Sequence, residues 1–197
     1  MTDHTLLPPA FDPADAAAAA ARFAATAPAD VAYAVVDSPV GTLVAARTER
    51  GLARLAYEDY NGGVDAVVDE LARKLSPRIL LAPARLDDVR RELDEYFDGR
   101  RRDFDLVLDW TLTPPFGRRV LRATAAIPFG VVSTYGTVAA RAGNPRAARA
   151  TGRALGANPI PIVVPCHRVL DSKGALHGYA GGLHRKEALL RLEGVAL

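Results

Sequence analysis

The stretch from Asn158 to Val169 reads NPIPIVVPCHRV and carries more information than any other part of the chain. Its three prolines and its run of β-branched residues predict a stiff, buried backbone that is not helical. The only thiol of the protein, Cys166, stands near its end. Free cysteine is often an inert buried side chain, but His167 and Arg168 follow at once, and a neighbouring base or positive charge can make a thiol nucleophilic. The stretch therefore predicts a reactive cysteine.

The composition excludes several classes of protein. The chain has 197 residues, of which 49% are hydrophobic, enough to form one domain or two small ones. Its apolar runs are far shorter than a membrane-spanning helix, and its N-terminus does not resemble a secretory signal. A single cysteine excludes an internal disulfide, and the four histidines show no metal-ligand spacing with it. We therefore expect a cytoplasmic protein without a metal or another cofactor.

The net charge of +2 conceals a strong asymmetry. Residues 1–117 contain 13 basic and 20 acidic residues, whereas residues 118–197 contain 12 basic and only 3 acidic ones. The two parts thus carry net charges of −7 and +9. A basic C-terminal part indicates a polyanionic partner, although charge alone is equally compatible with an ordinary solvated surface.

The first 112 residues of the chain predict an arm followed by an α/β domain. Residues 1–30 are rich in alanine, and Asp12-Pro13 has the chemistry to begin a helix that extends to Ala25. Because this helix has little to bury, we interpret residues 1–30 as an appended arm.

The α/β domain is expected to cover residues 31–112. β-prone segments between Val31 and Tyr57, separated by turn residues, predict an antiparallel meander. Helical spacing over 64–75 and 86–97 predicts two helices packed on this sheet. A last strand is expected over Phe104 to Leu108, before a boundary at Pro114-Pro115.

A helix-turn-helix pattern occupies the predicted third segment, residues 113–197. A helix over 116–125 is followed by a short helix after Ser133 and Thr134. A glycine-asparagine turn at 143–144 then precedes Pro145, which favours the first position of a second helix.

Three arginines of this second helix are predicted to share one face. Arg146, Arg149 and Arg153 are spaced i, i+3 and i+7. Such a face can lie against DNA phosphates, and the alternative is a solvated stripe above an alanine-rich packing face.

Five short motifs follow one another between about residue 127 and residue 194. They are Ile127-Pro128-Phe129-Gly130, Tyr135-Gly136, Asn158-Pro159, Pro165-Cys166-His167-Arg168-Val169 and Gly178-Tyr179-Ala180-Gly181-Gly182. This order closely resembles the O6-alkylguanine-DNA alkyltransferase family, and Ser38–Leu43 and Glu95–Phe97 extend the likeness more loosely into the first domain. The resemblance implies an N-terminal ribonuclease-H-like α/β domain joined to a C-terminal helical, winged-helix-like DNA-binding domain.

The resemblance also implies a catalytic set. Cys166 is the alkyl acceptor, and His167, oriented by Glu193, removes the thiol proton through a water molecule. Tyr135 donates its hydroxyl hydrogen to the guanine ring, and Asn158 holds the reactive loop. Glu193 receives its role from the resemblance alone, because the sequence around it would otherwise indicate a surface carboxylate.

A second set of residues is implied to bind DNA and the extruded base. Arg149 enters the duplex and fills the gap left by the flipped nucleotide. The remaining DNA contacts are expected from Arg146, Arg153, Ser133, Thr134 and Arg168. The base pocket is expected from the carbonyl of Val169, the backbone at Tyr179 and Ala180, and Gly181.

Four departures from the family pattern limit the transfer of roles, and one of them is Leu121, which stands where a tryptophan is frequent. Ala180 stands where some members carry serine, so that only the backbone can contact the base there. Arg153 replaces a small residue, which adds charge to the second helix. The zinc-binding cysteines of some relatives are missing.

The implied function is irreversible, single-turnover repair of O6-alkylguanine, and less readily of O4-alkylthymine, in double-stranded DNA by a monomer. Two rival functions stay open. The first is a damage reader that flips alkylated bases without repairing them, although relatives of that kind lack the cysteine. The second is a Cys-His hydrolase, which we disfavour because neighbouring side chains on an extended chain point to opposite sides.

Overall fold

The computed structural model describes residues 13–196. Its α-helices are α1 (Pro13–Thr26), α2 (Val64–Lys74), α3 (Asp87–Phe97), α4 (Pro115–Ala125), α5 (Tyr135–Arg141), α6 (Ala148–Gly156) and α7 (Leu183–Leu192). Its strands are β1 (Val31–Val36), β2 (Leu43–Thr48), β3 (Gly51–Tyr57), β4 (Ile79–Leu81), β5 (Ser133–Thr134) and β6 (Val169–Leu170). Among these residues, no helix combines the length and the apolar character that a membrane crossing needs. Helix α1 confirms the predicted alanine-rich helix, and its predicted cap, Asp12, lies outside the described residues.

The first three strands form the predicted antiparallel meander. Strand β1 pairs with β2, with Val35 opposite Val44, and β2 pairs with β3, with Val44 opposite Ala56. Side chains alternate between the two faces, as the pleat requires. Leu43 packs on the side of α3 and Val44 on the side of α2, so that the two predicted helices cover opposite faces of one sheet.

Strand β4 adds a fourth, parallel strand that the sequence pattern does not predict. The strand order is β3-β2-β1-β4, and Val31 of β1 lies opposite Ile79 of β4. Only three residues long, β4 is too short to show a periodic pattern of its own.

The strand predicted over Phe104 to Leu108 is wrong. This segment forms only a single bridge to β3, in which the Leu52 amide donates to the Val107 carbonyl at 2.8 Å. The next outward amide of β3, that of Leu55, donates instead to the carbonyl of Pro159 at 2.8 Å. The edge of β3 is thus shared between two segments, which leaves no room for a longer ladder. We call residues 31–109 the α/β domain and residues 115–195 the helical domain.

The helical domain contains the predicted helix-turn-helix in α5 and α6, but α6 begins later than predicted. The Ala147 amide donates to the Asn144 carbonyl at 3.0 Å and closes a turn that contains Pro145 and Arg146. Helix α6 begins only at Ala148. Arg146 therefore precedes the helix, and the prediction that three arginines share one helical face is wrong for this residue.

One hydrophobic cluster joins the two domains. Leu93 and Tyr96 of α3 belong to the same buried cluster as Val120 of α4 and Val164 of the reactive loop, residues 158–165. Because the domains share their core, the α/β domain forms part of the support on which the reactive loop rests.

Candidate active site and nucleic-acid interface

The reactive loop, residues 158–165, consists of tight turns that deliver Cys166 to the interior. The Val163 amide donates to the Pro161 carbonyl at 3.0 Å, and the residue between them, Ile162, has a φ of 73°. A positive φ is costly for a β-branched residue, by about 1–3 kcal/mol, and such conformations concentrate at functional sites. Ile162 is fully buried, so that the surrounding core maintains this conformation.

A second tight turn follows at Pro165, and it overturns the expected extended chain. Pro165 has φ −80° and ψ 64°, the values of an inverse γ-turn, and the Cys166 amide donates to the Val164 carbonyl at 2.8 Å. The segment Cys166–Arg168 then forms one turn of 3-10 helix. The argument against a hydrolase that rested on an extended chain at Cys166 is therefore wrong.

Cys166 is buried, and Asn158 holds its sulfur. The Asn158 amide nitrogen lies 3.2 Å from the Sγ of Cys166 and 2.8 Å from the carbonyl of Val164. Its Oδ1 accepts from the Ile160 amide at 3.0 Å, which fixes the orientation of the amide group. This geometry supports the positioning role proposed for Asn158.

Cys166 rests as a thiol. Burial raises the pKa of Cys166, and this effect outweighs the opposing hydrogen bond from Asn158. We had expected the adjacent positive charge of Arg168 to lower this pKa, but that charge is already paired with a carboxylate. Proton removal therefore has to accompany the reaction, which requires a nearby base.

Glu193 lies at the centre of a buried charge cluster. Its Oε1 lies 2.8 Å from the Nε2 of His167, 2.7 Å from the hydroxyl of Tyr96 and 2.9 Å from the Nη2 of Arg168. Its Oε2 accepts from the Nε of Arg168 at 2.8 Å and from the Gly130 amide at 3.3 Å. Burial alone would raise the pKa of Glu193, but the hydrogen bonds and the positive charge hold it at about 2.

The ionised carboxylate selects the tautomer of His167. Because Glu193 can only accept, the Nε2 of His167 must carry the hydrogen. The Nδ1 of His167 is then an acceptor, and it is buried without a hydrogen-bond partner among the described residues. Burial also lowers the pKa of His167, so that the ring rests neutral. A neutral imidazole with a bare Nδ1 is suited to accept a proton through a bridging water.

Arg168 belongs to this buried cluster, and its predicted contact with DNA is wrong. The residue is only 4% exposed, and it also donates to the Ile127 carbonyl through Nη1. Its guanidinium is committed to Glu193 and to the protein backbone. Arg168 thus neutralises the carboxylate that orients His167.

Two of the residues predicted for the base pocket, Tyr179 and Gly181, lie in the interior near His167 and Tyr57. The ring of Tyr179 stands edge-on to that of His167 at a centroid distance of 6.5 Å, and Gly181 is buried against Tyr57 and Arg185. Tyr135, at the start of α5, packs on Gly152 of α6. Burial and the nearby Cys166 raise the pKa of Tyr135, which keeps its hydroxyl hydrogen available for donation.

Lys186 is a residue of this site that the sequence analysis missed. It is 1% exposed, and its Nζ donates to the carbonyl of Val169 at 2.6 Å and to that of His177 at 3.0 Å. The Val169 carbonyl assigned to the base is therefore already engaged by an ammonium group. A signal existed in the sequence, because Lys186 shares the buried side of α7 with Leu189 and Leu190 at helical spacing.

The predicted DNA surface lies on the exposed side of α5 and α6. Arg149 and Arg153 are exposed on α6, and Arg146 is exposed in the preceding turn. Among residues 13–196, no carboxylate lies within 4 Å of any of them. Thr134 caps α5 by accepting from the Thr137 amide at 3.1 Å. Ser133, beside it, has a buried hydroxyl without a partner in the described part of the chain.

Within residues 13–196, the His, Cys, Asp and Glu side chains form no group of three that could hold a metal ion. The structure brings together the predicted catalytic residues Cys166, Asn158, His167, Glu193 and Tyr135. It also places Tyr96 and Lys186, which the sequence pattern does not indicate, next to them.

Known proteins similar to this chain cover both domains. A methylated-DNA–protein-cysteine methyltransferase of Salmonella typhimurium is 42% identical over 165 residues, which span 82% of this chain and 95% of the relative. One from Methanosarcina barkeri is 38% identical over 161 residues, 82% of this chain and 96% of the relative. The crystal structure of Mycobacterium tuberculosis O6-methylguanine methyltransferase matches with a TM-score of 0.71 at 38% identity, covering 83% of this chain and 92% of that one. The OGT of the same organism, solved in complex with DNA, matches with a TM-score of 0.69.

The fold and the site define a two-domain, DNA-binding transferase that depends on a buried cysteine. Family models divide the chain in the same way. Residues 31–110 match the ribonuclease-like domain and residues 115–195 the DNA-binding domain of 6-O-methylguanine DNA methyltransferase. The chain therefore belongs to the 6-O-methylguanine DNA methyltransferase family, and the predicted fold class and resemblance are confirmed.

Proposed function

We propose that this protein repairs O6-alkylguanine in double-stranded DNA by moving the alkyl group onto Cys166. Methyl transfer from methylated DNA to a protein cysteine is the activity of its curated relatives. One observation supports it most directly: the single thiol of the chain lies in a cluster where Glu193 leaves the Nδ1 of His167 free to take a proton.

The transfer is a nucleophilic substitution at the alkyl carbon. The Sγ of Cys166 forms a bond to this carbon, and the bond from the carbon to O6 breaks. The thiol proton passes through a water molecule to the Nδ1 of His167, and Glu193 stabilises the resulting imidazolium. The departing guanine receives a hydrogen bond from Tyr135 as negative charge develops on its ring, and it finally takes up one proton to become neutral guanine.

The reaction ends after one turnover. A thioether is stable, and the chain has no second cysteine that could attack it. Each molecule therefore accepts one alkyl group. We expect the same pocket to admit O4-alkylthymine less readily. We also expect the protein to act as a monomer in the cytoplasm, where reducing conditions keep its single thiol unoxidised.

Access to the base requires its extrusion from the duplex, and the arginines of the helix-turn-helix carry this step. Arg149 on α6 has no partner among the described residues and fills the gap left by the flipped nucleotide. Arg146, Arg153 and the segment Ser133-Thr134 bind the flanking backbone.

Intact-mass spectrometry tests this function. The purified protein is incubated with a duplex that contains O6-methylguanine, with Cys166→Ala as the control. We expect one methyl adduct per molecule, located at Cys166 and absent from the variant. Binding of the lesion without an adduct would identify a damage reader, and repeated turnover without an adduct would identify a hydrolase.

A further inference from the structure

The two domains meet at Arg185, a buried arginine of α7 that faces the α/β domain. It is 7% exposed, although a free arginine side chain is normally solvated. Its Nε donates to the carbonyl of Val40 in the turn between β1 and β2, and its Nη2 donates to the Oδ2 of Asp59 at 2.8 Å. Both acceptors belong to the α/β domain.

The same guanidinium also holds the loop that borders the base pocket. Its Nη1 donates to the carbonyl of Gly181 at 3.0 Å. The planar fork of arginine serves these three acceptors in three directions, which a lysine ammonium on a flexible stem cannot reproduce with the same rigidity. Arg185 thus fixes Gly181 relative to the α/β domain.

Tyr57 at the end of β3 completes the junction. The guanidinium carbon of Arg185 lies 4.6 Å from the centre of the Tyr57 ring, a cation–π distance. The hydroxyl of Tyr57 lies 2.8 Å from that of Tyr179, and both groups are buried. A Cβ added at Gly181 would lie 2.5 Å from the Tyr57 ring, so that the ring leaves room only for glycine.

We propose that Arg185 and Tyr57 are positioning residues through which the α/β domain sets the shape of the base pocket. Arg185 fixes Gly181 from one side, and Tyr57 fixes the hydroxyl of Tyr179 from the other. Neither residue takes part in proton transfer or bond formation. The α/β domain therefore contributes directly to recognition of the alkylated base, and this inference rests on the proposed function.

Single-turnover kinetics with free O6-benzylguanine test the proposal, because a free base needs no flipping and no DNA contact. The full chain is mixed with increasing concentrations of the base, and adduct formation gives a maximal rate constant and a half-saturating concentration. For Arg185→Ala we expect the half-saturating concentration to rise by about tenfold, the effect of losing one charge-assisted hydrogen bond, with the maximal rate constant nearly unchanged. Arg191→Ala, which removes an exposed arginine of the same helix paired with Glu187, is the matched control and should leave both values unchanged.

Two further variants separate positioning from general stability. Arg185→Lys keeps the charge near Asp59 but not the three-way fork, and we expect it to restore little of the lost base affinity. Tyr57→Phe keeps the ring against Gly181 and removes only the hydroxyl, and we expect the half-saturating concentration to rise about threefold, the lower end of one neutral hydrogen bond. All measurements are made well below the unfolding midpoint of each variant.

The outcomes are distinct. If Arg185→Ala does not fold, Arg185→Lys and Tyr57→Phe decide the question. Unchanged half-saturating concentrations in the folded variants, or full restoration by lysine, would overturn the positioning role. Failure of the unmodified protein to form any adduct would overturn the proposed function first, and with it this inference.

Discussion

The interior and the DNA-facing surface of the helical domain use arginine in opposite ways. In the interior, Arg168 donates to both oxygens of Glu193 and to a backbone carbonyl. On the surface, Arg149 and Arg153 have no hydrogen-bond acceptor for their side chains in residues 13–196. The donor nitrogens of the buried arginine are all used to hold a carboxylate and the backbone in place, whereas those of the exposed arginines are available for the proposed phosphate contacts. The residue type alone therefore does not tell which arginines bind DNA.

The α/β domain extends the contrast. Several of its arginines are paired with carboxylates, as are Arg78 with Asp30 and Arg101 with Glu95. Exposed pairs of this kind stabilise the fold little, but they offset positive charge on the surface. The exposed arginines of the second helix of the helix-turn-helix, unpaired within residues 13–196, are therefore the ones that we propose to contact DNA.

Loss of the thiol should abolish the chemistry of the interior and leave DNA binding at the surface intact. We expect Cys166→Ala to abolish alkyl transfer and to leave the affinity for duplex DNA within about twofold, because Cys166 is buried away from the exposed arginines. Adduct mass and a DNA-binding titration measure the two properties side by side. A parallel loss of DNA affinity would show that the interior and the surface are not independent.

Neutralising the centre of the buried cluster should affect chemistry and stability together. Glu193→Gln leaves the charge of Arg168 buried without a counter-ion, and breaking such a pair costs about 3–5 kcal/mol. We expect a correspondingly lower free energy of unfolding in urea. We also expect slower reaction with free O6-benzylguanine, because His167 loses the anion that orients it. An unfolding free energy equal to that of the unmodified protein would contradict the description of this cluster.

The same cluster predicts loss of stability in acid. The folded pKa of Glu193 is about 2, below its ordinary value of 4.5, so that its contribution is complete above about pH 4.5 and disappears as the pH falls toward 2. Burial lowers the pKa of His167, so that only the unfolded chain takes up its proton below about pH 6.5, which also favours unfolding in acid. Urea midpoints measured from pH 7 to pH 3 should fall steadily. The fall below pH 4.5 should be smaller in the Glu193→Gln variant, in which other paired carboxylates with lowered pKa values, such as Asp30 and Asp109, still take up protons.

Removing the proposed wedge should affect only the duplex reaction. For Arg149→Ala we expect the rate on a duplex with O6-methylguanine to fall on the order of 10- to 100-fold, because base extrusion costs a few kcal/mol without a residue to fill the gap. The rate with free O6-benzylguanine should stay the same. Equal losses on both substrates would exclude this role.

The smallest effect, a change in the salt dependence of DNA binding, is expected from the loss of a single phosphate contact. For Arg153→Ala, the slope of log K against log salt concentration should become shallower by about 0.9, the value for one lost contact to duplex DNA. Arg90→Ala is the matched control, because Arg90 is an exposed arginine of the α/β domain that pairs with Asp87. Its slope should not differ from that of the unmodified protein.

Local sequence patterns predict the secondary-structure elements better than they predict the tertiary contacts of those elements. The meander, the helices and the helix-turn-helix follow from periodicity, but the start of α6 was misplaced because Pro145 suits both a first helical position and a turn. Strand β4 was missed because its stability comes from β1, more than 40 residues away in the chain.

In the candidate site, too, contacts between residues that are distant in the chain could not be predicted from local patterns. Cys166 and its two neighbours stand out in the sequence, but the partners that define their chemistry do not. Tyr96 and Glu193 are 97 residues apart, and no local pattern relates them. The burial of Arg168 could not be foreseen for the same reason, because it depends on a carboxylate from a distant helix end.

The hydrogen bond from the Leu55 amide to the Pro159 carbonyl gives the reactive loop a natural reporter. Leu55 is fully buried in β3, and its amide donates to the loop that precedes Cys166. This amide hydrogen can exchange with solvent deuterium only when the loop separates from the strand or the domain unfolds. Its exchange rate therefore measures how often the reactive loop opens, and a comparison of the free and the alkylated protein would show whether a permanently occupied thiol changes that frequency.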